Sequence, residues 1–138
     1  MNPKKPRRKC LQCGVECNRG TTKYCSSVCQ QAYQQAQYIE RWKSGLETGY
    51  GKKWRVSEYI REYLHKKYHD SCSQCGWSKI NQHIGKVPLQ IEHKDGNYAN
   101  TKEENLELLC GSCHTLTPTW GARNKGHGRP RYAYREKF

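Results

Sequence analysis

The segment LQIEHKDGNYANTKEENLELLCGSCH, residues 89–114, decides the fold of this chain of 138 residues. Apolar and polar residues alternate over 87–91, which predicts one β-strand, and the residues KDGNYAN that follow are typical of a turn. Residues 105–109 predict a second strand, and the chain then enters a helix near Cys113. The sequence therefore predicts a β-hairpin followed by a helix.

Two pairs of cysteines bracket this unit. Cys72 and Cys75 form one pair and Cys110 and Cys113 the other, with 34 residues between the pairs. Two such knuckles supply the four thiolates of a tetrahedral zinc site. Zinc bound in small modules contributes folding free energy on the order of 10 kcal/mol, so we expect zinc to clamp the base of the hairpin.

A second group of cysteines lies near the N-terminus, in the stretch CLQCGVECNRGTTKYCSSVC, residues 10–29. One knuckle is followed by a cysteine pair where a helix is predicted to begin, which indicates a second four-thiolate zinc site. Cys17 is left over, and it is either a free thiol or a replacement for one member of the set. The four predicted ligands are Cys10, Cys13, Cys25 and Cys29.

The composition explains why metal is expected. Only 34% of the residues are hydrophobic and the mean hydropathy is -1.13, which excludes a large single core. Eight of the 9 cysteines occur in short pairs, and the basic N-terminus runs into no apolar segment typical of a signal peptide or a membrane span. We therefore expect an intracellular, cytoplasmic protein whose cysteines bind zinc rather than form disulfides.

Helical periodicity predicts two further helices. Apolar residues from Val28 to Trp42 recur at spacings of three and four before Gly45, and Ser57 caps a second helix. The glycine-rich stretch between the helices predicts a linker. The predicted fold class is a small zinc-stapled α+β protein. Its segments are a basic arm with the finger and first helix (1–43), the linker (44–56), the zinc-clamped module (57–126) and a basic tail (127–138).

The net charge of +13 is concentrated at the two ends of the chain. Basic runs attract a polyanion by counterion release, which makes nucleic acid the expected partner. Five of the 12 acidic residues lie within a span of 16, and an acidic island in a basic protein favours cation binding. These five are Glu92, Asp95, Glu103, Glu104 and Glu107.

Residues 72–125 resemble the zinc-containing branch of the HNH endonuclease family. Glu92 and His93 match the first positions of the family motif, and the stretch EENLELLCGSCH is similar to its second strand and helix start. Asn105 matches the central asparagine and His114 the final histidine. The N-terminal finger followed by YIERWKSG also resembles small HNH proteins of bacteriophages.

The resemblance implies a metal-dependent DNA endonuclease that hydrolyses phosphodiester bonds with one catalytic divalent cation. His93 is then the general base, while Glu92 and His114 hold the cation, which is Mg²⁺ or, in its place, Mn²⁺ or another transition metal. Asn105 ties down the loop that carries the base. The products would carry 5′-phosphate and 3′-hydroxyl ends.

The position of Glu92 leaves an alternative open. The family more often has Asp or His before the base, and neighbouring residues of a regular strand point to opposite faces. Glu92 and His93 therefore share a site only if the strand is irregular there. If Glu92 points away, Asp95 becomes the alternative ligand.

The resemblance implies double-stranded DNA as the partner, in the host cytoplasm if a phage encodes the chain. A competing hypothesis is a non-catalytic, zinc-dependent protein that binds DNA or assists phage packaging beside a partner protein. Glu92, His93 and His114 discriminate the two hypotheses, because a pure binding protein does not need them. The oligomeric state is left open. The positions from which phosphates can be held are Lys94, Lys102, Arg123, Lys125, Arg129 and Arg131.

Overall fold

The computed structural model describes residues 6–20 and 22–128. The chain divides into two compact units, Met1–Arg41 and Trp42–Phe138. Helices combined with a two-stranded antiparallel sheet make the fold α+β, as predicted. None of the described helices is long and apolar enough to cross a membrane. The predicted basic tail lies outside the described residues from position 129 onward.

The first unit contains a short hairpin and most of helix α1. Lys9 pairs with Glu16 in the hairpin, and α1 spans Ser27–Lys43. The helix predicted from the apolar spacing is confirmed, and the apolar residues differ in exposure: Trp42 near the end of α1 is buried, whereas Val28 near its start is 72% exposed.

Helix α2, Glu58–Lys67, forms one layer of the second unit. The backbone N–H of Ile60 donates to Oγ of Ser57 at 3.3 Å, so Ser57 is the predicted N-cap. Ile60 and Leu64, one turn apart on the helix, are fully buried. The face of α2 that carries these two residues is therefore the one that packs inward.

Strands β1, Leu89–His93, and β2, Leu106–Cys110, form the hairpin. They pair in antiparallel register from Leu89 opposite Cys110 to His93 opposite Leu106. The first strand begins two residues later than predicted. Asn105 is also not part of the second strand: it ends a 3-10 turn, Glu103–Asn105, because its backbone N–H bonds the carbonyl of Lys102.

The core of the second unit lies around β2. Leu106 and Leu108 share one face of the strand and Leu109 lies on the other, and all three are fully buried, so both faces of β2 are covered. Helix α2 packs against β2, and the short helix α3, Gly111–Thr115, packs against both strands. Helix α3, which starts directly after β2, therefore also lies close to β1.

Residues 44–56, which the sequence predicts as a linker, lie inside the second unit. The indole N–H of Trp42 donates to the carbonyl of Thr101 at 2.8 Å, and the Thr101 hydroxyl donates to the carbonyl of Thr48. Gly49 has φ +76°, and a Cβ at this position would lie 2.7 Å from Oγ1 of Thr101. Only glycine fits this approach without strain.

Candidate functional site

The eight paired cysteines form two tetrads. In each tetrad the four sulfur atoms lie within 4.8 Å of one another. The sulfur distances include 3.6 Å from Cys13 to Cys25 and 3.7 Å from Cys75 to Cys110. Four sulfurs around a tetrahedral zinc at about 2.3 Å are about 3.8 Å apart, so both tetrads fit a zinc ion. The N-terminal tetrad is Cys10, Cys13, Cys25 and Cys29, and the hairpin tetrad is Cys72, Cys75, Cys110 and Cys113.

Backbone groups around the hairpin tetrad favour thiolates. Burial raises the pKa of Cys72, but the backbone N–H groups of Cys110, Cys75 and Gln74 outweigh it and lower the pKa to about 6. The pKa of Cys113 is raised to about 12, first by its hydrogen bond with Cys75 and then by burial. Four neighbouring thiols cannot all ionise without a cation between them, because like charges repel.

The N-terminal tetrad shows the same arrangement. Burial raises the pKa of Cys10, while hydrogen bonds from the backbone of Cys13, Cys25 and Gln12 lower it to about 6. Cys17 is fully buried and lies outside the tetrad. The spacing of the cysteine pairs therefore identifies the four members, and the ninth cysteine replaces none of them.

A cleft of about 430 Å³ is lined by β1, α3 and the segment that follows α3. Glu92 and His93 enter it from the end of β1 and His114 from α3. Three of the residues singled out in the sequence therefore border one space. The cleft extends beyond the predicted segment, because Thr119, Asn124 and His127 also line it.

Glu92 and His114 are in direct contact. Oε2 of Glu92 lies 2.8 Å from Nε2 of His114, and the hydroxyl of Thr119 donates to Oε1 of Glu92 at 3.1 Å. Glu92 is only 8% exposed, so this carboxylate is buried against an imidazole and a hydroxyl. Thr119 fixes one carboxylate oxygen and leaves the other facing His114.

His93, the last residue of β1, lines the same cleft. The strand pairing remains regular through His93 opposite Leu106, and regular pairing by itself directs consecutive side chains to opposite faces. The chain turns immediately afterwards, where the N–H of Gly96 donates to the carbonyl of His93 at 2.7 Å. The predicted irregularity is not found in the strand pairing, yet both Glu92 and His93 line the cleft.

Asn105 holds the loop that follows His93. Its side-chain N–H groups donate to Oδ1 of Asp95 at 2.9 Å and to the carbonyl of Asn100 at 2.8 Å, and its Oδ1 accepts from the N–H of Asp95 at 3.1 Å. The side chain is buried, at 7% exposure. One amide therefore ties both ends of a tight loop together.

Asp95, the alternative ligand, is engaged in the same loop. Oδ2 accepts from the Asn100 amide at 2.7 Å and Oδ1 accepts from the Asn97 N–H at 2.8 Å. Burial raises the pKa of Asp95, but these bonds, that from Asn105 and the charge of His93 outweigh it and hold the pKa below its ordinary value. The structure brings Glu92, and not Asp95, against His114.

The segment after α3 closes the cleft over Gly96. Gly96 has φ +72°, and a Cβ here would lie 2.7 Å from both Oδ1 of Asn124 and Cγ2 of Thr119. The Asn124 amide donates to the carbonyl of Gly96 at 2.7 Å. Sequence analysis misses Thr119 and Asn124, because TPTWGARN carries neither a motif nor a periodicity that marks them.

The predicted phosphate contacts within the described chain are all exposed: Lys94, Lys102, Arg123 and Lys125. The ammonium of Lys94 donates to the carbonyl of Glu104 at 3.0 Å, and the Arg123 guanidinium donates to the carbonyl of Thr115 at 3.0 Å. Arg123 is therefore tied to the end of α3. Arg129 and Arg131 lie outside the described residues.

Two curated proteins are similar to this chain. Over 97 residues, 65% of the chain, it is 39% identical to the H-N-H endonuclease F-TflIV of Escherichia phage T5, and it covers 40% of that protein. Over 72 residues, 51% of the chain, it is 33% identical to the Zorya protein ZorE of Escherichia coli, and it covers 18% of that protein.

The chain thus spans less than half of the length of either relative. No family model and no solved structure matches it. A protein named as an H-N-H endonuclease nevertheless aligns with most of the chain, which confirms the predicted resemblance to that family.

Proposed function

We propose that this chain is a metal-dependent DNA endonuclease of the HNH type. The observation that carries the proposal is the convergence of Glu92, His93 and His114 on one cleft. A carboxylate and two imidazoles supply cation ligands and a base, which are the groups that phosphodiester hydrolysis needs. The similarity to a phage protein named as an H-N-H endonuclease supports the same reaction.

Glu92 and His114 fit a divalent cation. Adjacent ligands of an octahedral cation with bonds of about 2.1 Å are about 3.0 Å apart. The 2.8 Å between Oε2 of Glu92 and Nε2 of His114 is close to this value, and the cleft leaves room for water and a phosphate. When bound, a cation such as Mg²⁺ or Mn²⁺ polarises the phosphate and stabilises the leaving 3′ oxygen.

His93 acts as the general base. An imidazole takes up a proton near neutral pH, so His93 can remove one from the water that attacks the phosphorus. Asn105 fixes the loop after His93 through Asp95 and Asn100, which holds the base at the end of β1. Thr119 keeps the carboxylate of Glu92 turned toward His114. By the family pattern the products carry 5′-phosphate and 3′-hydroxyl ends.

The substrate is double-stranded DNA. The chain has a net charge of +13, which favours binding to a polyanion by counterion release. Lys94, Lys102, Arg123 and Lys125, with Arg129 and Arg131 of the tail, are the proposed phosphate contacts. The two tetrads hold structural zinc, apart from the catalytic cation, and the zinc-clamped module 57–126 carries the reaction. The chain acts inside the cell that holds its DNA.

The decisive experiment is cleavage of supercoiled plasmid by the purified protein with Mg²⁺ or Mn²⁺. His93→Ala is expected to slow cleavage by at least about 100-fold, the lower end for loss of a general base, while leaving DNA binding intact. His83→Ala is the matched control, since His83 is an exposed histidine outside the cleft. It is expected to cut as the unmodified protein does.

Equal cutting by His93→Ala and the unmodified protein would remove His93 as the base. If the unmodified protein binds DNA but cuts with neither metal, the nuclease proposal is wrong and the non-catalytic DNA-binding hypothesis replaces it.

A further inference from the structure

A short loop in the second unit, residues 49–57, has features that the nuclease cleft does not explain; it is called the Trp54 loop below. Its two ends are joined, since the N–H of Ser57 donates to the carbonyl of Gly49 at 2.9 Å and Tyr50 pairs with Val56. The N–H of Gly51 donates to the carbonyl of Arg55 at 2.7 Å. The loop is therefore a closed, hydrogen-bonded projection.

The tip of the Trp54 loop is basic and aromatic. Residues 49–57 contain three cationic side chains and no carboxylate. Lys52, Lys53 and Arg55 are exposed, and Trp54 between them is 46% exposed. Tyr50 supports Trp54 in an edge-on contact with ring centroids 5.6 Å apart. A large apolar ring is thus held at the surface among positive charges.

The backbone of the tip is strained. Lys53 has φ 56° and Trp54 has φ 60°, which is the left-handed region that residues other than glycine adopt at a cost. Two consecutive non-glycine residues in this region persist only where the surroundings fix them, and such strain clusters at binding sites. The strained backbone of the tip therefore carries a tryptophan whose side chain is exposed and not buried in the core.

The base of the loop is fixed to the nuclease module. A Cβ at Gly49 would lie 2.7 Å from Oγ1 of Thr101 and 3.0 Å from the indole nitrogen of Trp42, so the backbone packs closely there. Thr101 precedes the 3-10 turn that ends at Asn105. The base of the Trp54 loop is thus anchored at Thr101, in the same chain segment as Asn105, which holds the loop after His93. The tip of the Trp54 loop is therefore preorganised for binding.

We propose that the Trp54 loop is a second DNA contact, in which Trp54 stacks on a base exposed by an unpaired or distorted step of the duplex. Lys52, Lys53 and Arg55 hold the neighbouring phosphates. Aromatic side chains stack on any base, and cations nearby add affinity that falls with salt. This inference rests on the proposed function, in which DNA is the substrate. It adds that the DNA feature recognised is an unpaired or distorted step.

The test measures binding and not cleavage. Fluorescently labelled duplexes, one fully paired and one with a single unpaired base, are titrated without added divalent cation, and anisotropy gives the dissociation constants. The unmodified protein is expected to prefer the duplex with the unpaired base. Trp54→Ala is expected to weaken binding to that duplex about tenfold, the loss of one base–aromatic stack, and to remove the preference. Trp54→Phe is expected to retain it.

Two further variants separate stacking from charge and from general loss of a surface ring. Trp77→Ala removes a tryptophan of similar exposure, 38%, and is expected to leave both constants unchanged. Replacing Lys52 and Lys53 by Ala is expected to lower the salt dependence of binding, by about 0.9 in the logarithmic slope for each phosphate that is no longer neutralised. Trp54→Ala is expected to leave that slope unchanged.

An unchanged affinity and preference in a folded Trp54→Ala protein overturn the proposal, as does an equal loss in Trp77→Ala. Thermal unfolding of each variant shows whether it is folded, and Trp54→Phe keeps the test valid if the alanine variant is not. Because no step depends on cleavage, a protein that binds in this way but cuts no plasmid refutes the proposed nuclease activity and leaves this inference standing.

Discussion

Oε2 of Glu92 lies 2.8 Å from Nε2 of His114, which joins the end of β1 to helix α3. A carboxylate that is 8% exposed needs a partner, and the imidazole and the Thr119 hydroxyl are the partners it has here. The hairpin tetrad joins the end of β2 to the same helix through Cys110 and Cys113. The pair of Glu92 with His114 and the hairpin tetrad therefore both depend on the position of α3.

The first prediction concerns Glu92. Glu92→Gln keeps the size of the side chain but removes the charge, so the proposed cation loses the only negatively charged one of its two protein ligands. The concentration of Mg²⁺ or Mn²⁺ that gives half-maximal plasmid cleavage is expected to rise at least about tenfold. This concentration is obtained by measuring the cleavage rate at increasing concentrations of the metal.

Glu107→Gln is the matched control for this change. Glu107 pairs with Glu92 across the sheet, but its carboxylate accepts from the Ser73 hydroxyl at 2.9 Å and the Gln74 amide at 3.3 Å. The metal dependence is expected to stay the same in this control. A shift of equal size in both variants would show that net charge, and not the pair of Glu92 with His114, sets the metal dependence.

The second prediction separates the two tetrads. Cys113→Ser and Cys25→Ser are each expected to lower the zinc content from two ions per chain to one, since each removes a member of one tetrad. Only Cys113→Ser is expected to abolish cleavage, because His114 follows Cys113 on α3. Cys25→Ser is expected to retain cleavage at saturating DNA. Metal analysis and plasmid cleavage give the two readouts, and cleavage by Cys113→Ser would contradict the dependence of the cleft on this zinc.

Much of the fold is predictable because its signals are local. Cysteine pairs separated by two residues, the alternation that ends in β1, and the cap at Ser57 each lie within a few residues of sequence. Geometry within one turn or one strand is set by neighbours along the chain. The hairpin, the tetrads and α2 are therefore recovered, with strand ends displaced by one or two residues.

The parts that sequence analysis misses depend on distant contacts. Thr119 meets Glu92 across 27 residues, and Trp42 meets Thr101 across 59 residues. Neither a sequence period nor a motif indicates either contact. The contribution of Thr119 to the cleft, and the inclusion of residues 44–56 in the second unit, are therefore seen only in the structure. The position of His93 is similar, since a regular strand by itself would direct its side chain to the face opposite Glu92.

The third prediction concerns the loop anchor. Asn105→Ala removes three hydrogen bonds of a buried amide and leaves the Asp95 carboxylate with fewer donors. The free energy of unfolding is expected to fall by about 1–3 kcal/mol, and plasmid cleavage is expected to slow because the loop after His93 loosens. Chemical denaturation and cleavage rates measure the two effects. Asn81→Ala, which removes one turn hydrogen bond to His83 elsewhere, is expected to leave cleavage unchanged.

The last prediction concerns Glu103, which joins Lys43 and helix α2 to the 3-10 turn before β2. Its Oε1 accepts from Nζ of Lys67 at 2.8 Å and from the Tyr63 hydroxyl, and Nζ of Lys43 lies 3.5 Å from Oε2. Burial raises the pKa of Glu103, but these partners outweigh it and lower the pKa from 4.5 to about 2. A carboxyl whose pKa is lower in the folded state stabilises the fold above its unfolded pKa, and this contribution is lost as the pH falls toward the folded pKa.

Glu103→Gln is therefore expected to lower the free energy of unfolding by about 2 kcal/mol at pH 7, after allowance for solvent screening. The difference from the unmodified protein should stay constant from about pH 8 to pH 5 and shrink below about pH 4.5. Zinc release by thiol protonation affects both proteins alike, so denaturant unfolding at each pH isolates the carboxyl. Glu104→Gln, an exposed neighbour, should give no such difference. A pH-independent difference for Glu103→Gln would mean that packing, and not the charge of Glu103, holds these elements together.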